Sequence, residues 1–415
     1  MILKPLLIII PFTNIYPPMN GGMQRCFNIL SQLVKYFEVT AIIHQDKASF
    51  MECVNEFPEM KKASIYSTND VITKDLFSLL PSKFEKALRY RWYTKQVWAT
   101  ADGNFLKYYP ILKELLIRKK FQLVILENMS TLNAVKMIRT YQKEAKIIYD
   151  AHNVDSNLAK AALQRGEIVK QELDNIFKTE INLHKTVDAV IACSERDANE
   201  LIEMNNGNLA IDVVPNGVAI PANCYNQAVD TDGVPEYIMF CGSLWSIPNA
   251  EGLAWFCDEI WPAVLKIFPE LKLLVVGSGE LPQKYNHIKQ TVGISFTGTV
   301  DDVKIWYNKA AISIVPLLTG SGTRLKILEA MGLGVPVIST RRGAEGINYT
   351  DGKDILIADS TEEFASKLIQ LLKSKNDRMN LQLQAIALVK AKYDWDLIGK
   401  KMSEYLNKKI LANAH

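Results

Sequence analysis

No run of apolar residues in this chain of 415 approaches the length of a membrane span, which argues against a membrane-crossing helix. The formal net charge is only +3, too little to point to nucleic acid as a partner. None of the six cysteines (Cys26, Cys53, Cys193, Cys224, Cys241, Cys257) stands in a Cys-x-x-Cys spacing, so neither a disulfide framework nor a zinc site is expected. They read as small buried hydrophobes in a reducing compartment. Low-complexity segments and an internal sequence repeat are also missing. The first twelve residues carry one lysine and no small-residue cleavage site, and they read as a buried strand rather than a signal peptide. A cytoplasmic location is expected.

What is present is the composition of a soluble globular protein, 48% hydrophobic and 22% charged, and long enough for two domains. Short apolar runs alternate with helical stretches, the pattern of parallel sheets wrapped by helices. In the first half strands are expected at 6–10, 39–44, 123–126, 146–149, 189–192 and 211–214. The longest helix is expected over 155–184, beginning after an aspartate cap. From 218 to 235 the chain turns to Ala, Pro, Asn, Asp and Gly without periodicity, which reads as an interdomain linker. A second series of strands follows at 237–241, 273–276, 294–296, 312–315, 335–339 and 355–357. Helices are expected over 249–267, 303–308 and 361–373. The fold class is therefore α/β, with two facing Rossmann-like domains over 1–217 and 218–390 and a segment 391–415 crossing back onto the first. Ligands of open parallel sheets bind beyond the carboxyl ends of the strands. Polar or glycine-bearing loops follow the expected strands in both halves, which places the site in a cleft between the domains.

The most informative stretch is 320–340. Gly320, Ser321, Gly322 and Thr323 form a glycine-rich turn ahead of a short helix carrying Arg324, Lys326 and Glu329, which leaves through Gly332 and Gly334 into an apolar strand. A helix N-terminus presents unpaired N–H groups and a positive dipole end, which suit an anion. Cations in that first turn oppose the helix dipole, so their presence points to a ligand, most simply a phosphate or diphosphate. Lys326 and Glu329 stand three apart and share a helix face. That pairing suits a sugar nucleotide, with the diphosphate on the base and the ribose hydroxyls on the acid. Leu325, Leu328 and Met331 form the expected buried stripe.

Further candidates are the pair Gly21 and Gly22 with Arg25, and His152 between Asp150 and Asn153. Gly277 and Gly279 signal close packing, while Asn216 with Gly217 fits a tight turn as well as a contact. Glu345 fits either a cleft or a surface. Residues 80–121 interleave lysines and arginines with aromatics, a mixture suited to an anionic membrane surface, to a lipid-linked acceptor, or to a basic face over a minor core.

In order and spacing, the segments GGMQR (21–25), YDAHN (149–153), VPNGV (214–218), FCGSL (240–244), VVGSG (275–279), FTGTVD (296–301) and GTRLKILEAM (322–331) resemble the retaining nucleotide-sugar glycosyltransferases of family 4, which have the GT-B fold. With GAEGI at 343–347, the wording is similar to a bacterial branch associated with surface or exported polysaccharides. The resemblance implies transfer of a sugar from a nucleoside-diphosphate sugar to a glycan or lipid-linked acceptor, with retention and with neither a metal nor another cofactor required. It implies that Gly21 and Gly22 bring backbone amides to the donor phosphate, that His152 lies near the transferred sugar, and that the loop of Thr299 meets the base. Gly242, Gly320, Ser321, Gly322, Thr323 and Glu329 fall in the implied donor site, with Arg324 and Lys326 as leaving-group cations. Two departures stand out. The first of two glutamates common in the family is replaced by Ser321, and an Arg and Lys usual after the first strand of the second domain are replaced by Ser243 and the uncharged stretch 244–249. A binding subunit that lost its chemistry and a nucleotide-sugar epimerase of the same architecture are the alternatives.

Overall fold

The computed structural model describes residues 3–69, 108–222, 224–320 and 324–411. By its internal contacts the chain divides into two units. Met1–Pro215 and Ile398–His415 form the first, and Asn216–Leu397 the second.

The first unit holds β1 (Pro5–Ile9), β2 (Glu38–Ile43), β3 (Ser64–Ser67), β4 (Leu123–Glu127), β5 (Lys146–Ala151), β6 (Ala189–Ala192) and β7 (Ile211–Val213). They make one sheet in the order β3-β2-β1-β4-β5-β6-β7, with every pairing parallel. The inner strands are apolar along their length because helices cover both faces. β3 was not expected. Its sequence Ser-Ile-Tyr-Ser offers one aliphatic residue, and as an edge strand it needs no continuous apolar run.

The helix expected over 155–184 is broken. Helices Asp155–Gln164 and Lys170–Glu180 are separated at Gly166, whose φ of +74° favours glycine. Asp155 is no cap: it is buried as the first helical residue and accepts from the Tyr149 hydroxyl at 3.3 Å.

The second unit holds β8 (Tyr237–Cys241), β9 (Lys272–Val276), β10 (Ile294–Gly298), β11 (Ile312–Val315), β12 (Val337–Ser339) and β13 (Leu356–Ile357). Their order is β10-β9-β8-β11-β12-β13, again parallel throughout. Both sheets are thus Rossmann-like, as the alternating pattern predicted.

The stretch 218–235 is not a loose linker. Asn226 is buried and donates to the carbonyls of Tyr307 and Ala310 at 2.9 and 3.2 Å. The buried Arg378 guanidinium donates to the carbonyls of Val229 and Thr231 at 3.2 and 2.7 Å. Its polar residues satisfy backbone groups of the second unit, so composition misled. From Ile398 the chain belongs to the first unit, where Gly399 lies so close to Gln32 that a Cβ would stand 2.5 Å from that side chain's own Cβ.

Candidate functional site

Two clusters stand at the carboxyl ends of the strands, one in each unit. In the second unit, helix Leu325–Gly332 follows β11, and Arg324 is its N-cap, one position ahead of the first turn. Lys326 is the second helical residue. Its Nζ donates to Asn249 Oδ1 at 2.8 Å and lies 4.7 Å from the centre of the Phe240 ring. Asn249 in turn donates to the Ser243 carbonyl at 2.9 Å, which ties the ammonium to the loop after β8. Gly242 forms the floor beneath it, since a Cβ there would stand 2.5 Å from Nζ and 2.8 Å from Asn249 Nδ2.

Burial, then the neighbouring Arg324 charge, pushes the Lys326 ammonium down to about 8 against the opposing pull of Cys241 and Glu329. Arg324 is disfavoured in the same way, by burial and by the Arg342 guanidinium. Arg342 thus disfavours the charge of Arg324, and Arg324 that of Lys326. Glu329 is half-buried on the same helix and acts electrostatically on both Lys326 and Cys241, whose thiol is raised to about 11 by burial and then by that carboxylate.

Gly320 has φ +95° and supports the Arg324 side chain, because a Cβ would stand 2.8 Å from Nη2. Thr299 is exposed in the turn after β10. Ser321, Gly322 and Thr323 lie outside the described residues. Gly277 meets the Gly242 carbonyl, which a Cβ would approach to 2.0 Å, so this glycine serves close packing as expected. Glu345 pairs with Arg342 at 3.0 Å in an open depression of about 540 Å³ that Arg341, Tyr349 and Asp359 also line.

The first unit gathers His152, just past β5, with Glu127, the last residue of β4. His152 Nε2 lies 2.9 Å from Glu127 Oε2, and Cys26 Sγ lies 3.4 Å from the same oxygen. Phe12 stacks on the imidazole at 5.9 Å between ring centres. Burial, then the Asp150 charge, raises the Glu127 carboxyl to about 7, while His152 and Arg25 oppose the rise. Cys26, Glu127 and His152 present ligand atoms within 4.8 Å of one another, close enough to hold a metal ion.

Arg25, grouped with Gly21 and Gly22 in the sequence, is buried in a two-point ion pair with Asp150 at 2.6 and 2.9 Å and also donates to the Val214 carbonyl. Burial opposes the guanidinium charge, but Asp150 holds it well above its ordinary value. Asp150 is therefore spent on Arg25, with its Oδ2 4.0 Å from His152 Nε2, and Glu127 is the nearer carboxylate. Gly21 and Gly22 have ordinary helical backbone as the first residues of helix Gly21–Leu33, capped by Asn20. Gly22 is needed because a Cβ would stand 2.9 Å from Phe12.

Sequence reasoning missed Glu127, Asn249 and Phe240. Glu127 closes an otherwise apolar strand, and that single charge at a strand's carboxyl end was the available signal. Of the basic aromatic segment 80–121, residues 80–107 lie outside those described. In the remainder Tyr108 and Phe121 are buried, which removes them from any membrane face. Among the described residues no helix is long and apolar enough to cross a membrane.

Residues 235–374, within the second unit, match the family described as Glycosyl transferases group 1. An uncharacterized 44.6 kDa protein in the cps region of Klebsiella pneumoniae is 27% identical over 164 residues, 38% of this chain and 42% of that protein. A phosphatidyl-myo-inositol mannosyltransferase of Propionibacterium freudenreichii is 27% identical over 34% of this chain and 36% of its own length. The matches thus span less than half of these curated relatives. Among solved structures, Anabaena HepE in complex with UDP and glucose superposes with a TM-score of 0.63 at 13% identity, covering 98% of this chain and 99% of that one. Sucrose-phosphate synthase from Thermosynechococcus elongatus gives 0.66 at 15% identity, covering 99% and 100%. The fold is two Rossmann-like domains of the GT-B type, and the family match supports a glycosyltransferase.

Proposed function

We propose that the chain is a retaining glycosyltransferase of family 4. It moves a sugar from a nucleoside-diphosphate sugar to a glycan or lipid-linked acceptor, in the cytoplasm and without a required metal, during synthesis of a surface or exported polysaccharide. One observation carries this reading: the Lys326 ammonium is held over Gly242 with its charge disfavoured by burial and by Arg324. A cation placed at such a cost is stabilised when a dianionic group arrives, and the absent Cβ of Gly242 leaves that group a path to it. A diphosphate fits, with Arg324 offering a planar fork and Lys326 a point charge. Glu329, on the same helix, accepts from the ribose hydroxyls.

Catalysis then rests on stabilising the departing diphosphate with charge already in place. No residue is assigned as nucleophile, and the configuration is kept by attack on the face the leaving group vacates. His152 holds the transferred sugar in this scheme. The phosphatidyl-myo-inositol mannosyltransferase supports a lipid-linked acceptor. The UDP held by Anabaena HepE supports a nucleotide donor.

Calorimetry against a panel of nucleoside diphosphates, followed by donor-hydrolysis assays, tests the reading. Release of free nucleotide from a sugar donor is the expected result, lost in the double variant Arg324→Ala, Lys326→Ala. No nucleotide binding would instead favour a binding subunit, and sugar inversion without release would favour an epimerase. Undiminished turnover in the double variant would refute the phosphate site.

A further inference from the structure

Glu127 is fully buried, yet it is the last residue of β4, level with Asp150 on the neighbouring strand. A carboxylate is costly in such a place unless its charge is used. Its Oε2 accepts from the Cys26 thiol and lies 2.9 Å from His152 Nε2. With Nε2 engaged there, the imidazole's tautomer is set by that bond. Phe12 covers one ring face, and Gly22 supplies the room Phe12 needs. Both the plane and one nitrogen of His152 are thereby fixed, which leaves Nδ1 as its remaining polar atom.

We propose that Glu127 is the positioning residue of His152, keeping the proton on Nε2 so that Nδ1 is the nitrogen presented to a hydroxyl of the transferred sugar. The inference rests on the reading of His152 as a sugar contact. The charged and titratable groups around Glu127 are Arg25 and Cys26 from helix Gly21–Leu33, Asp150 from β5, and His152 itself. Asp155 also acts on the imidazole, and Asp150 Oδ2 lies 4.0 Å from Nε2, but Asp150 is paired with Arg25, so Glu127 Oε2 at 2.9 Å is the nearest acceptor.

The test is ¹⁵N NMR of the imidazoles in the full chain. The protein has five histidines, and the His152 signals are identified by their loss in His152→Asn. Glu127→Gln keeps an oxygen able to accept from Nε2, whereas Glu127→Leu offers none. The Nε2–H tautomer is expected to persist in Glu127→Gln and to be lost in Glu127→Leu. kcat/KM should fall in Glu127→Leu and recover in Glu127→Gln, while nucleoside-diphosphate binding at the second unit stays the same in both. A neutral ring protonated on Nδ1 in the unsubstituted protein, or a tautomer unchanged in Glu127→Leu, overturns the proposal. The NMR result is read without any transfer assay, so failure of the glycosyltransferase reading and failure of this one are distinguished.

Discussion

Replacing Gly242 by alanine isolates the second-unit cation site with one methyl group. The new Cβ would stand 2.5 Å from Lys326 Nζ, 2.8 Å from Asn249 Nδ2 and 3.1 Å from Asn249 Cγ. All three atoms belong to side chains, and Gly242 does not occupy the left-handed region. The backbone therefore accepts alanine, and the ammonium swings away from Asn249 and the Phe240 ring. Overall stability should change by less than about 1 kcal/mol, because a compatible alanine also restricts the unfolded chain. Binding should change far more. A hydrogen bond to a charged group contributes about 1.5–3 kcal/mol, so displacing Nζ from a bound phosphate weakens a nucleoside diphosphate by about 10- to 150-fold. Calorimetry measures the affinity, and thermal unfolding measures the fold. Gly277→Ala is the contrast, since its Cβ would meet a backbone oxygen of Gly242 at 2.0 Å, and that oxygen cannot swing aside. There the loss appears in stability, at about 1–3 kcal/mol or more. If Gly242→Ala bound nucleoside diphosphates as tightly as the unsubstituted protein, the ammonium over Gly242 would not be the phosphate ligand.

Three further predictions follow from buried charges. Lys326 is depressed to about 8 in the free protein, and a bound diphosphate raises it, so the complex holds the extra proton above that pH. Affinity should fall as pH rises beyond about 8, approaching tenfold per unit, and Lys326→Met should flatten the profile in calorimetry. Asp155 is raised to about 7 by burial and then by Glu180, so between about 4 and 7 the folded state keeps a proton the unfolded chain has lost. Stability then falls as pH rises through that window. Asp155→Asn should stabilise the fold by roughly 1–4 kcal/mol at pH 8 and by little near pH 4, as read from denaturant midpoints. Arg378→Met should cost about 3 kcal/mol or more, because the carbonyls of Val229, Thr231, Leu371 and Leu372 lose their donor. Hydrogen exchange over 226–233 should rise well beyond the global change, and protection equal to that of the unsubstituted protein would refute the pinning role.

The strands were legible because two-faced burial writes itself locally. Ala189–Ala192 and Tyr237–Cys241 stand where continuous apolar runs put them. Ser64–Ser67 escaped because an edge strand needs only one buried face, and its burial alternates. The break at Gly166 escaped because the flanking residues are good helix formers, and a single glycine costs only about 1 kcal/mol in a helix.

The candidate site divides differently. Arg324, Lys326 and His152 could be named because charged or titratable residues beside glycine-rich turns are unusual choices for packing alone. Their partners could not be named. Lys326 reaches Asn249 across 77 positions, and His152 reaches Glu127 across 25. Arg25 shows the same limit from the other side: nothing near it reveals that Asp150, 125 positions away, consumes its charge. A cation just after a strand-end loop reads alike whether it awaits an anion or already has one. What separates Arg25 from Lys326 is whether a carboxylate is hydrogen-bonded to it in space. Arg25 has one at 2.6 Å, whereas Lys326 has an amide oxygen and an aromatic face. An ammonium held by neutral partners keeps its appetite for an anion, and that property emerges only when the two halves of the contact are brought together by the fold.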